Sequence, residues 1–175
     1  MERYNKGADA IQALKQGKID CVVIDEQPAI KFVEQNTGIR ILDEEFTLEE
    51  YAFVIAKDNT ELLDKVNSVL EKLEADGTIA NIQKNYIGTA DEIGKFPYES
   101  KDVSHENGTL TVGTNAEFPP YESYEDGQIV GIDMDIMRAV SDELGMELKI
   151  EDMAFDSIIP AISTGKVDIG AAGLL

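Results

Sequence analysis

Apolar residues recur along this chain in two modes. Between Thr60 and Ala75 they fall at Leu62, Leu63, Val66, Val69, Leu70 and Leu73, a spacing that places them on one helical face. Ile132, Ile136, Val140 and Leu144 recur every four residues and predict another amphipathic helix, ending at Gly145. A shorter helix is predicted from Ile79 to Tyr86, after the turn signal Asp76-Gly77. The second mode is continuous. Ile19 to Ile24 and Val167 to Ala172 are apolar runs suited to strands buried on both faces of a parallel sheet. Tyr51 to Ala56 and Glu147 to Asp152 also read as strands. Strands alternating with helices predict an α/β fold, with parallel-type sheets flanked by helices and right-handed crossovers.

One α–β unit occurs twice. AIQALKQGKIDCVV (Ala10 to Val23) matches IIPAISTGKVDIGA (Ile158 to Ala171) at a constant offset of 148 residues. Each copy reads helix, Gly-Lys, apolar residue, Asp, strand. Gly17 and Gly165 fit the left-handed position just past a helix end. Two copies predict two similarly built half-lobes, which merge into one composite domain if new strand pairing joins them. Residues 89–108, TADEIGKFPYESKDVSHENG, are polar and aperiodic, and are expected to form a linker.

The composition, 43 % apolar over 175 residues, is that of a chain able to bury a core. The net charge of −20, from 35 acidic and 15 basic residues, argues against nucleic acid or an anionic membrane as partner. Cys21 is the only cysteine, which excludes an intrachain disulfide and a cysteine-based zinc site. Lying within IDCVVI, it is expected to be a buried, inert thiol. His105, the only histidine, sits in a polar stretch and offers no partner for a nucleophile. TGKV and QGKI lack the Ser or Thr of a phosphate-binding loop, and the carboxylate spacing matches no calcium loop. No catalytic residue, metal or cofactor is expected.

Two stretches carry a family resemblance. TLTVGTNAEFPPY, running on through GIDMDIMRAVSDELGMELKIEDMAFDSIIPAISTGKVDIGAAG, resembles the beginning of a polar amino-acid solute-binding protein of ABC importers. YNKGADAIQALKQGKIDCVVIDEQPAIKFVEQN and EEYAFVIAKDNTELLDKVNSVLEKLEADGTIANIQKNYIG resemble its end. The family's halves are inverted here, so the resemblance implies a circularly permuted and truncated arrangement of the periplasmic-binding-protein type II fold. Residues 1–56 would be the C-terminal half of the second lobe and 57–88 the helices that pack on the first lobe. Residues 89–108 would be the linker, and 109–175 the N-terminal half of the first lobe.

The same resemblance implies a ligand-binding set. Asp25 would take the ammonium of a free amino acid, although Asp before a helix starting near Pro28 is equally a helix cap. Phe118 and Phe155 would be pocket aromatics, Asn115 a pocket-lining polar group, and Ala172 and Gly173 strand-end backbone that hydrogen-bonds the ligand. An Arg that clamps the ligand carboxylate follows this strand in the family. Here the sequence runs to Leu175, at a position where the family carries Thr, so binding by this chain is expected to be weak or absent. Met1 leads directly into polar ERYNKGAD and no signal peptide is expected, although the family works in the periplasm or outside the cell beside a membrane permease. Two other readings are a scaffold-related dehydratase, with Glu117, Glu122 or Asp25 as general acid, and a sensor or engineered structural module. Exposed sheet edges would favour a homodimer.

Overall fold

The computed structural model describes residues 1–44, 46–48 and 50–174, so Leu175 lies outside the described residues. The N-terminal portion contributes α1 (Gly7–Lys15) and α2 (Glu26–Gln35). Then come β1 (Val54–Ile55), α3 (Thr60–Ala75) and α4 (Thr78–Ile87). The remainder supplies β2 (Thr109–Thr114), β3 (Glu117–Phe118), β4 (Glu122–Glu125), β5 (Gln128–Val130), α5 (Ile132–Leu144), β6 (Glu147–Asp152), α6 (Phe155–Ser163) and β7 (Ile169–Gly170). No helix among the described residues is long and apolar enough to cross a membrane.

The fold is α/β. The main sheet has the order β1-β7-β2-β6, with β2 parallel to both β6 and β7, and β1 antiparallel to β7. Its strands alternate between two apolar layers. Leu110, Val112, Ile169 and Ala171 pack with Met134, Met137 and Val140 of α5 and with Val66, Leu73 and Ile82 of α3 and α4. On the other face, Val167, Ala172 and Leu174 pack with Ile158, Ala161 and Ile162 of α6. Fully burying an aliphatic side chain of this kind contributes about 1.5–3 kcal/mol, so α3 is held to α5 and α4 by most of the stripe the sequence predicted, although Leu63 is exposed. The second sheet, β3-β4-β5, is an antiparallel meander.

Residues 89–107 lack regular helix or strand, yet they are tied to α5. The Tyr98 hydroxyl and the Lys101 backbone N–H both donate to Asp142, at 2.7 and 2.8 Å, and the Asn107 amide donates to the Leu144 carbonyl at 2.7 Å.

The two copies of the α–β unit have different fates. Gly17 and Gly165 both close their helices in the left-handed region, at φ 68° and 70°. Beyond Gly165, the strand is flanked by β2 and β1, and Ile169 is fully buried. Beyond Gly17, the strand expected over Ile19 to Ile24 does not form, and no described strand lies beside it. An apolar run becomes a sheet strand only where a neighbour satisfies its N–H and C=O groups. Val23 is therefore 60 % exposed, and Cys21 is exposed instead of buried. The thiol should accordingly react with a disulfide reagent in the native protein about as fast as in denaturant. Labelling that is slowed a hundredfold by folding would contradict this placement.

Candidate functional site

The carboxyl ends of β2 and β7 meet at one edge of the main sheet, the usual location of a ligand crevice in parallel α/β folds. After β2 the chain turns through Asn115 and Ala116 into β3, which carries Phe118. The Tyr121 N–H donates to the Phe118 carbonyl at 3.0 Å, folding Tyr121 back beside Phe118. These two rings stack, with centroids 5.9 Å apart and planes 24° apart. Tyr51 closes the group edge-on, 5.0 Å from Tyr121 and 6.4 Å from Phe118. Its neighbour Ala52 donates to the Leu174 carbonyl at 2.9 Å, which extends the β1–β7 pairing and brings Tyr51 to this edge.

Gly173 lies directly against these rings. A Cβ placed there would come within 3.1 Å of Phe118 and 3.6 Å of Tyr51. Ala172 is part of the buried cluster under α6, so only its backbone is available to a ligand.

Asp25 occupies the position before α2, and its carbonyl accepts the Ala29 N–H at 2.9 Å. Its side chain makes no capping hydrogen bond. The carboxylate faces the Tyr51 hydroxyl instead. Burial first, and then the nearby Asp25 carboxylate, push the Tyr51 phenol far above its ordinary range. Tyr121 is also raised, by burial and by the charges of Asp133, Asp25, Glu122 and Glu26. Asp25, Phe118 and Gly173 are thus joined through Tyr51, into a site with one anion, three rings and a backbone turn.

The other expected residues stand apart from this cluster. The Asn115 amide donates to the Met153 carbonyl at 2.9 Å, and Ala116 donates to Asp152 at 3.0 Å, so the turn after β2 is stitched to the end of β6. Phe155 begins α6 and is 41 % exposed, and it makes no ring–ring contact among the described residues. Glu117 is ion-paired with Lys6, which fastens the N-terminal portion to β3. A cavity of about 580 Å³ opens at the opposite ends of these strands, between Asn59, Lys65, Asn107 and Asp168, and shares no residue with the aromatic cluster.

Tyr51, Tyr121 and the buried carboxyl pair Glu122 and Asp133 were not identified from sequence as ligand-binding residues. Glu122 is fully enclosed and Asp133 is 7 % exposed. Burial and the facing Asp133 push the Glu122 carboxyl well up, while Asp133 is raised by burial and held back by Glu122 and the Gly173 N–H. One signal was present: Asp126-Gly127 is a two-residue hairpin signature, and both residues adopt positive φ between β4 and β5. It announces the meander that carries Tyr121 and Glu122 back to α5. Among the described residues no group of three or more His, Cys, Asp or Glu is placed to hold a metal ion.

The family model for bacterial extracellular solute-binding proteins, family 3, matches residues 3–89 and 110–175. The arginine-binding protein ArgT of Corynebacterium glutamicum is 42 % identical over 69 residues, covering 39 % of this chain and 23 % of that protein. The glutamate-binding protein GluB of Corynebacterium efficiens is 28 % identical over 99 residues, covering 53 % of this chain and 34 % of that protein. The arginine-bound form of domain 1 from TmArgBP is 45 % identical over 39 % of this chain and 55 % of its own, with a TM-score of 0.38. The chain therefore spans a quarter to a third of these full-length relatives.

The site depends on one backbone crossing. Gly131, at φ 138°, passes so close to Tyr121 that a Cβ would lie 2.1 Å from its carbonyl oxygen. Gly131→Ala should destabilise the protein by about 3 kcal/mol or more, through a glycine-only conformation and a backbone clash. Urea unfolding measures this, and a loss below 1 kcal/mol would show that the crossing relaxes freely.

Proposed function

Because the chain belongs to the bacterial extracellular solute-binding proteins, family 3, we propose that its aromatic cluster binds the ammonium end of a free amino acid. The carrying observation is the Asp25 carboxylate, facing Tyr51 against the Phe118 and Tyr121 rings. An ammonium meets a counter-ion there and the ligand's carbon skeleton meets aromatic faces, the combination a polar ligand needs when it leaves water. Gly173 would offer its backbone carbonyl at the β7 end, its N–H being turned toward Asp133. Asn115 and Phe155 belong to the proposed cleft as flanking positions. In the proposed layout residues 57–88 and 109–175 form the first lobe and residues 1–56 the facing part of the second, with 89–108 between them. Extracytoplasmic delivery of an amino acid to an ABC permease is the proposed role of the whole protein.

The ligand carboxylate is the weaker half of the site. Arg138 is ion-paired with Asp135 and donates to the Ile129 carbonyl at 2.9 Å. Lys6 is held by Glu117. Neither is free to clamp a carboxylate beside Gly173, and a charged hydrogen-bond pair contributes about 1.5–3 kcal/mol. The dehydratase reading gains no support from this geometry, since Glu117 is ion-paired and Glu122 is enclosed.

NMR titration of the 175-residue polypeptide with arginine and with glutamate should therefore show weak binding, in the millimolar range. Asp25→Asn should reduce affinity about tenfold or more. Micromolar affinity would overturn the predicted weakness, and unchanged affinity in Asp25→Asn would remove the ammonium site. The unpaired Ile19–Ile24 stretch also suits association of two copies. Light scattering should detect a dimer, and a monomer at high concentration would overturn that expectation.

A further inference from the structure

We propose that Glu122 and Asp133 hold a single proton between them, and that this acid–carboxylate pair positions the Gly173 turn under the aromatic rings. The proposal rests on the binding reading only for its consequence at the ligand, and its geometry stands independently. Glu122 opens β4 with no exposed surface, and neither of its carboxyl oxygens has a hydrogen-bond donor. Asp133 is fixed beside it by the backbone: Ile132 donates to the Pro120 carbonyl and Asp133 to the Tyr121 carbonyl, both at 3.1 Å. The Gly173 N–H lies toward the Asp133 carboxylate and favours its ionised form.

Two facing carboxylates are both acceptors, and ionised together they would repel in a site that water does not reach. Their charges reach Tyr51, from the stretch before β1, and Tyr121, from the β3–β4 turn. Asp25 and Glu26 of the α2 N-terminus act on Tyr121 from beyond. None of these carries positive charge, and no metal-binding group is described there. The missing partner is therefore a proton. It belongs on Glu122, the more enclosed member, because Asp133 lies in the first turn of α5, where the helix amides favour a negative charge. The resulting chain runs from the Glu122 hydroxyl to the Asp133 carboxylate and on to the Gly173 N–H. Gly173 is held at φ 55° with Phe118 packed on it.

Glu122 in the folded protein lies above its unfolded value, so its contribution to stability is complete below the ordinary carboxylate range. That contribution is lost progressively as pH rises through neutral toward the folded value. Deprotonation places two negative charges face to face and releases Gly173 from its fixed turn.

Infrared spectroscopy on the full chain should show a protonated-carboxyl C=O band at pH 7 that is absent from Glu122→Gln. The same variant keeps an N–H donor toward Asp133 at every pH. It should retain the wild-type chemical shift of the Gly173 amide, and should lose at least half of the fall in stability between pH 6 and pH 9. Absence of the band from the wild type, or an unchanged pH profile in Glu122→Gln, would overturn the proposal. If the variant does not fold, the wild-type infrared band alone decides. None of these readouts uses a ligand, so failure of amino-acid binding would leave them unaffected and would count only against the proposed function.

Discussion

Strand β7 is hydrogen-bonded along both edges, parallel to β2 at Val112↔Ile169 and Gly113↔Gly170, and antiparallel to β1 at Val54↔Gly170 and Ile55↔Ile169. This short ladder determines what meets at the cleft. Its β2 side delivers the Phe118 loop to the same edge as Gly173. Its β1 side delivers Tyr51 and, through Tyr51, the Asp25 carboxylate at the start of α2. The ladder can be short because Gly113 and Gly170 have no side chains to interpose. Val167 and Met153 pack against one and Ile158 and Ile162 against the other, so α6 seats directly on the sheet.

Much of this was legible in the sequence, for a physical reason. Where burial follows a regular period or a continuous apolar run the pattern names the element, as for the helices α3 and α5 and the strands β6 and β7. Asp25, Phe118 and Gly173 were singled out through the family resemblance, since their residue types alone fit a helix cap, core packing and a strand end equally well. What the sequence did not reveal depends on partners. Ile19 to Ile24 has the composition of a buried strand, but composition cannot state whether a neighbour will be there to pair with it. Tyr51 and Tyr121 were not singled out because each reads locally as an ordinary strand-flanking aromatic. Their roles arise only when β1 joins β7 and the β3–β5 meander folds back. Glu122 was legible only as a candidate general acid: nothing local marks a glutamate beside Tyr121 as buried, and the fold encloses it.

Polar groups in this molecule are concentrated where the two apolar layers end. Tyr86 donates to Asp135 at 2.8 Å and Tyr98 to Asp142 at 2.7 Å, each buttressing α5 against an element that packs on it. Asp168 accepts the Thr111 N–H at 2.8 Å where β2 and β7 begin, and Asp152 does the same for Ala116 at the other end. The acidic excess is therefore more than surface charge. Several carboxylates terminate backbone segments that have no strand neighbour, and the buried pair beneath the rings extends that pattern into the interior.

The unequal fate of the repeated α–β unit bears on cooperativity. The unit containing β7 shares its hydrogen bonds and its core with the rest of the sheet, so it can separate only when the whole sheet melts. The unit containing α1 and α2 is attached through side chains such as Lys6 and Asp25 and through the chain at Tyr51. Such a segment opens as a foldon of its own, at lower free energy than global unfolding. Heat or denaturant should then report two overlapping events, and a single midpoint assigned to this protein would average a loosely held fragment with a well-bonded one.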